Sequence, residues 1–399
     1  MGLPAALQLT ILFYFGHLVC IGWIASSETF LGLAVICGFV ALWRRELRVA
    51  FHPIYFPLLA YASASTVATI IHPSLWHRLE LSEWFTFLVV PLAISLHRTT
   101  GVTIRVTILA LLILAIGQGL YGLYQYFFLD YSSLELARRI TGTLSHVMTF
   151  SGIMLALSLT FIVLGVGTRR PPAILAACAS TVALVYTFTR GAWIGWAVGA
   201  LAILLRRRWR LVFYLAPIFV LAITFSPIAI FSRLVSSFDT TQSSNLDRIR
   251  MAEAGVEMIR DYPLFGVGPA NVKEIYPLYR RPDAPRFRIP HLHDNPIQIW
   301  AERGVMALIA YVLLLGVVLR ECSLVPREDR LARLFADAGV GVTLGLAVAG
   351  LFEFNFGDTE VLLTMLNLFS LCLAVIERSR RIDEAGLPVN GSSPVAVAV

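Results

Sequence analysis

The chain has 399 residues, 57% hydrophobic and 14% charged, with a mean hydropathy of +0.75 and a formal net charge of +7. A soluble domain carries roughly 25% charged residues, so this composition excludes a water-soluble globule and with it a soluble enzyme. The 32 basic residues, all arginine except Lys273, stand mostly at the ends of apolar runs and form no single basic patch, which argues against a nucleic-acid partner.

A membrane-crossing helix needs ~20 apolar residues. Apolar runs fall at 6–25, 28–43, 53–71, 81–97, 104–128, 147–167, 173–189, 191–205, 211–231, 296–319, 335–356 and 359–377. They predict an all-α polytopic membrane protein with about 12 transmembrane helices. Helices 1–9 lie within 1–231, a large loop spans 232–295, helices 10–12 lie within 296–382, and 383–399 is a low-complexity cytoplasmic tail expected to be disordered. The amino terminus lacks a basic n-region and a small-residue cleavage site, so the first run is read as a retained helix. Six arginine clusters mark alternate ends of the runs: Arg44/Arg45/Arg48, Arg98/Arg105, Arg169/Arg170, Arg206/Arg207/Arg208/Arg210, Arg320/Arg327/Arg330/Arg333 and Arg378/Arg380/Arg381. The short loops facing the other way hold Arg78, Arg138, Arg139 and Arg190. That asymmetry places the clusters and both termini in the cytoplasm and the large loop outside. The five cysteines lie in apolar runs or at a cytoplasmic end and indicate no disulfide framework.

Within the loop, SSNLDRIRMAEAGVEMIRDYP reads as an amphipathic helix. Ser244 and Asp247 give a cap signal, and Ile249, Ala252, Val256 and Ile259 recur at helical spacing. Tyr262-Pro263, Gly266 and Gly268 end it; GVGP reads as a turn. The stretch YPLYRRPDAPRFRIP shows no periodicity. A loop of this length in a compact protein is usually functional.

The densest polar constellation is His291-Leu292-His293-Asp294-Asn295, with Gln298, Glu302 and Arg303 on the helix after it. A histidine at a membrane surface can take a proton from a hydroxyl near neutral pH. The bland alternative is that these polar residues cap a transmembrane helix. A metal site is the other reading, with His291 and His293 chelating together and Asp294 as a possible carboxylate. No further ligand stands at a recognisable spacing, and His72, His77 and His146 look isolated. Arg190, in TFTRGAW, interrupts two nearly uncharged runs. A guanidinium at hydrocarbon depth costs ~2.5–3.5 kcal/mol on insertion scales, so it calls for an anionic partner or for snorkelling to water. The loop arginines Arg248, Arg250, Arg260, Arg280, Arg281, Arg286 and Arg288 together suit a polyanionic lipid. Arg248 sits next to the Ile249 stripe, placed to point back to the membrane. Glu353, Asn355, Asp358 and Glu360 gather at the outer end of the last helix pair, as partners for arginines.

Three segments together resemble the O-antigen ligase and O-antigen polymerase superfamily of bacterial envelope glycosyltransferases. TFTRGAW is similar to its S/T-R-G-x-x junction. DRIRMAEAGVEMIRDYPLFGVGPANV is similar to its arginine-led loop helix with a P-L-x-G-x-G turn. HLHDNPIQIWAERGV is similar to its H-N-x-x-L-Q…E-x-G motif. RITGTLSH also resembles the R-x-x-G-T-x turn that precedes the sixth helix. The likeness covers about 130–360 in order, and the first hundred residues match only in hydropathy. Asp294 stands where many relatives have asparagine, and Ala252 where the loop helix often carries tryptophan. The resemblance implies a GT-C-type glycosyltransferase in the bacterial inner membrane, multi-pass, with a periplasmic active site. Its donor would be a glycan on undecaprenyl diphosphate. Its acceptor would be lipid A–core for a ligase, or another lipid-linked repeat for a polymerase. It places a catalytic base at His293 and substrate-binding roles at Arg190 and Arg248; His291 and Arg139 complete the expected substrate-binding set. The expected transfer is inverting, needs no metal or other cofactor, and involves membrane lipids and no nucleic acid. The ligase is preferred over the polymerase for the chain length and arginine-rich loop. An envelope-lipid transporter is the alternative of another class, and a zinc hydrolase built on H-x-H a minor one.

Overall fold

The computed structural model describes residues 3–49, 51–72, 81–129, 139–208, 243–325 and 329–384. Every regular element among them is helical: α1 (Ala5–Val19), α2 (Ile24–Trp43), α3 (Tyr55–Ile71), α4 (Leu81–Phe87), α5 (Val89–Thr99), α6 (Gly101–Phe128), α7 (Val147–Thr168), α8 (Pro171–Tyr186), α9 (Arg190–Arg208), α10 (Ser243–Asp261), α11 (Val272–Tyr279), α12 (Asn295–Ser323), α13 (Arg330–Ala349) and α14 (Thr359–Glu384). Seven segments are long and apolar enough to cross a bilayer: α1 with the short turn after it, α2, α6, α7, α12, α13 and α14 up to Ile382. Shorter apolar helices are α3 and α8. This is a polytopic α-helical membrane protein. The run at 211–231, the loop start at 232–242, His77, Arg78, Arg138, Arg210 and the tail beyond 384 lie outside the described residues.

The described apolar runs become helical, but several ends move: the run at 81–97 divides into α4 and α5, and the run at 6–25 passes from α1 through a short turn into the start of α2. The run drawn to 356 stops as α13 at Ala349. Asn355 Nδ2 donates to the Leu346 carbonyl at 3.1 Å, satisfying an acceptor of the last turn and folding 350–358 back as a loop.

In lipid the apolar surroundings supply little drive for helices to associate, so close backbone approach decides which ones pair. Gly195 and Gly199 of α9 meet Gly341 and Gly345 of α13 in this way. A Cβ on Gly195 would stand 2.3 Å from the Gly345 carbonyl oxygen, and one on Gly199 2.5 Å from that of Gly341. The helix α7 is apolar all round and buried along nearly its whole length, as a central helix must be. Arginine clusters meet at one end of the bundle. Arg98 pairs with Glu377, Arg206 and Arg207 with Asp337 at 2.9 and 2.8 Å, and Arg380 and Arg320 with Glu321. Arg190 opens α9 and Arg206 nearly closes it, so that end and the Arg190 end are ~24 Å apart along the helix at 1.5 Å per residue.

At the Arg190 end the large loop packs on a core of its own: Met251, Ala254 and Met258 of α10, Val267, Val272 and Tyr276, and Ile289, Leu292 and Ala301. The buried stripe of α10 is therefore not the expected one. Ile249 and Val256 are 40% and 39% exposed, while Met251 and Met258 are fully buried. Both stripes repeat at helical spacing, and docking selects the one carrying methionine, whose flexible side chain fits irregular gaps. Residues 276–279, expected to be irregular, form the end of α11 with Pro277 inside it. Asp247 binds Arg286 rather than acting as the expected cap partner; the side chain of Ser244 lies outside the described residues.

The turn after α10 plugs a break in α12. Gly304 has φ 80° and ψ 177°, which interrupts the helix. The carbonyls of Ala301 and Glu302 accept from Val267 N–H at 2.8 Å and Gly268 N–H at 2.9 Å, and Val305 N–H donates to Pro263 at 3.1 Å. Gly266, at φ 66°, permits this approach, because a Cβ there would lie 2.3 Å from the Glu302 carbonyl carbon. Buried Arg303 beside the break pairs with Glu302 at 2.6 Å and with Glu83 of α4 at 2.7 Å, tying the loop's base to the bundle.

Candidate functional site

Three chain segments build the site, each held by a different local device. The first is the turn before α7. Gln125 Oε1 accepts from the N–H groups of Thr141 and Gly142 at 3.2 and 2.9 Å, and its Nε2 donates to the Gly142 carbonyl at 2.6 Å. Two turns earlier on the same face, Gln118 Oε1 accepts from Thr143 N–H at 3.0 Å, and its Nε2 donates to Thr143 Oγ1 at 2.6 Å. Two buried glutamines of α6 thus stand in for backbone partners and fix Arg139 and His146 on either side of the turn.

The second is the junction between α8 and α9. Phe188 has φ 51°, an unusual conformation for a bulky residue. Its ring is packed between Tyr186 and Trp193, with centroids 6.3 and 6.2 Å away. Arg139 Nε donates to the Thr187 carbonyl at 2.7 Å and its Nη2 to Thr189 Oγ1 at 2.9 Å. This turn starts α9 at Arg190, whose Nη2 donates to Asn245 Oδ1 of α10 at 2.8 Å.

The third is the segment before α12, where the dense polar motif divides its labour. Asp294 caps α12, accepting from Ile297 N–H at 2.7 Å, and Gln298 Oε1 accepts from Leu292 N–H at 2.7 Å. Asn295 donates from its backbone N–H to Gly350 at 2.6 Å and from Nδ2 to Asn355 Oδ1 at 2.6 Å, and its Oδ1 accepts from Phe356 N–H at 3.1 Å. It therefore pins the 350–358 loop against the histidines. His293, at φ 57°, turns its ring onto that loop: its Nδ1 lies 2.8 Å from Glu353 Oε2. Its Nε2 is buried and has no hydrogen-bond partner among the described residues. His291 packs on His293 with ring centroids 4.2 Å apart, and its Nε2 lies 3.5 Å from Glu353 Oε1.

These segments enclose a cavity of about 240 Å³ lined by Arg139, His146, Met148, Phe188, Thr189, Arg190, Arg248, Arg286 and His293. Four of the expected site residues, Arg139, Arg190, Arg248 and His293, share its wall; His291 packs behind them. Among the described residues no carboxylate lines it, and four guanidiniums do. Burial pushes the His291 imidazole down to about 4 against the pull of Glu353. At Glu353 burial works toward a raised value, but the His293 hydrogen bond and the charges of His293, His291 and Arg248 outweigh it and hold the carboxyl below its usual range.

Several expectations change here. Asp294 caps α12, and it is Glu353 that stands with the two histidines: the ligand atoms of His291, His293 and Glu353 lie within 4.8 Å of one another, a spacing that could hold a metal ion. Glu353 pairs with histidines rather than with arginines alone. His146 is not isolated: it lines the cavity, as does Arg248. Arg286 also lines the cavity while bound to buried Asp247. One signal for Glu353 was available: FEFNFGD sets an acid among aromatics between two apolar runs, where a solvated loop needs no aromatics.

Residues 173–312 match the family model described as O-antigen ligase. The match spans the Arg190 junction, α10 and the H-x-H-D-N segment, and stops short of the Arg139 turn. It supports the O-antigen ligase/polymerase superfamily and a glycan-transfer function of that type. No curated protein matches the chain.

Proposed function

We propose that this chain is an O-antigen ligase that moves a glycan from undecaprenyl diphosphate to a sugar hydroxyl of lipid A–core, with inversion and without a metal. One observation carries the reading: Glu353 holds Nδ1 of His293 and leaves Nε2 unbonded on a residue that lines a cavity walled by four arginines. With its proton on Nδ1, the neutral ring has a lone pair on Nε2. That nitrogen takes the proton of the acceptor hydroxyl as its oxygen attacks the anomeric carbon. The bond from that carbon to the diphosphate oxygen breaks, and the electron pair leaves on the diphosphate. Arg190 and Arg248 hold this anion, with Arg139 and Arg286 beside them, and stabilise the charge that develops on it. The four guanidiniums that line the cavity suit the negative charge of a diphosphate diester. His291, kept neutral by burial, packs the base in place. The arginine asymmetry of the loops supports a cavity on the periplasmic side of the inner membrane, with both termini in the cytoplasm. GT-C architecture with about twelve crossings fits that placement. An O-antigen polymerase uses the same groups on another lipid-linked acceptor.

A second reading rests on the ligand spacing of His291, His293 and Glu353, which suits a zinc ion with an open position for water. Purified protein in EDTA, given undecaprenyl-diphosphate glycan and rough lipopolysaccharide, separates the readings. Capped lipopolysaccharide at full rate in chelator, lost by at least ~10²-fold in a folded His293→Ala variant, is the expected result. Chelator inactivation reversed by zinc favours the metal reading. Elongated lipid-linked glycan alone means a polymerase.

A further inference from the structure

His146 performs two tasks with its two ring nitrogens. It stands at the N-cap of α7 with φ −136° and ψ 140°, and its Nδ1 accepts from the Met148 N–H at 3.2 Å. A ring nitrogen that accepts a hydrogen bond does not carry the proton, so the neutral imidazole is fixed in its Nε2–H form. The same residue lines the cavity with His293. At His293 the assignment is reversed, because Nδ1 faces the Glu353 carboxylate and Nε2 keeps the lone pair. One cavity thus holds two histidines of opposite tautomer, one suited to take a proton and one suited only to give a hydrogen bond.

The placement of His146 is built rather than incidental. Gln118 and Gln125 clamp the preceding turn. The N-terminus of α7, where backbone N–H groups favour an anion, opens at the same wall as the four arginines. We propose that His146 is a binding residue for the diphosphate group, its Nε2–H donating to a phosphate oxygen as a neutral, directional partner to the arginines. This rests on the diphosphate reading above and extends it to a residue outside the matched family segment.

Two substitutions separate the tasks, since asparagine places a side-chain atom near Nδ1 and glutamine places an amide N–H near Nε2. His146→Asn keeps an oxygen for the cap and loses the cavity donor; His146→Gln keeps a donor of similar reach and caps poorly. Binding of undecaprenyl diphosphate to purified full-length protein in detergent is measured beside thermal stability. His146→Asn is expected to raise Kd about tenfold with an unchanged Tm. His146→Gln is expected to bind within about threefold of wild type with a lowered Tm. The opposite pattern, wild-type binding by His146→Asn and loss by His146→Gln, overturns the proposal and leaves His146 a cap. If wild type itself fails to bind undecaprenyl diphosphate, or Arg190→Ala binds as well as wild type, the diphosphate reading falls and takes the proposal with it.

Discussion

In the proposed transfer Glu353 is the residue on which the chemistry turns, because its contact with Nδ1 of His293 favours a lone pair on Nε2. Replacing it with glutamine keeps the shape but removes the charge that favours the proton on Nδ1. Glu353→Gln is expected to lower kcat by about 10²-fold while leaving donor Kd near wild type. A wild-type kcat would remove Glu353 from the mechanism. Asp358, in the same loop, behaves differently. Burial pushes its carboxyl up to about 7, with Glu360 nearby adding to the rise and the Thr149 hydroxyl opposing it. A carboxyl raised in the folded state retains its proton there above its ordinary value near 3.8, so the stability it contributes is lost as pH rises through about 7. Asp358→Asn, which has no charge to bury, should melt at or above wild type at pH 8; a lower Tm would show that the ionised form is welcome. His291 has the opposite sign. Its folded value is depressed to about 4, so stability falls as pH drops from the ordinary 6.5 toward 4.

At the level of elements, the break in α12 is where loop and bundle are joined. Gly304 occupies a backbone region open essentially to glycine, and a Cβ there would lie 1.9 Å from the Leu264 carbonyl oxygen. Gly316, farther along the same helix, has none of the described residues within 4 Å of a Cβ. Gly304→Ala is therefore expected to destabilise by at least ~2 kcal/mol. Gly316→Ala should be neutral or stabilise by up to ~1 kcal/mol through helix propensity. Equal melting of the two variants would mean that the α12 break is not what anchors the loop. The pairing of α9 with α13 follows the same logic, because Gly195, Gly199, Gly341 and Gly345 let two carbonyl-lined backbones touch. In sequence these glycines read only as apolar filler, since the spacing on one helix does not say which other helix it meets.

For the molecule as a whole, the arginine clusters and the cavity lie at opposite ends of α9, which makes sidedness testable. With the native cysteines replaced by alanine, Leu278→Cys, on the loop and 83% exposed, should react with a membrane-impermeant maleimide in intact cells. Arg44→Cys, at the clustered end, should react only after lysis. The reverse labelling would invert the topology and remove the periplasmic site.

The sequence by itself determined the class of this protein. Composition excludes a soluble fold, periodic apolar runs become helices wherever the chain is described, and the motif segments already pointed to Arg139, Arg190, Arg248 and His293. These signals are local: hydropathy, spacing and turn chemistry act within a few residues and need no partner. What only the tertiary structure decided are the pairings across the chain. Glu353 reaches His293 because Asn295 pins its loop, His146 joins the cavity because two glutamines of α6 hold its turn, and α10 buries Met251 and Met258 rather than Ile249 and Val256. Each depends on which surfaces meet, and one helix or loop carries no record of the surface it will meet.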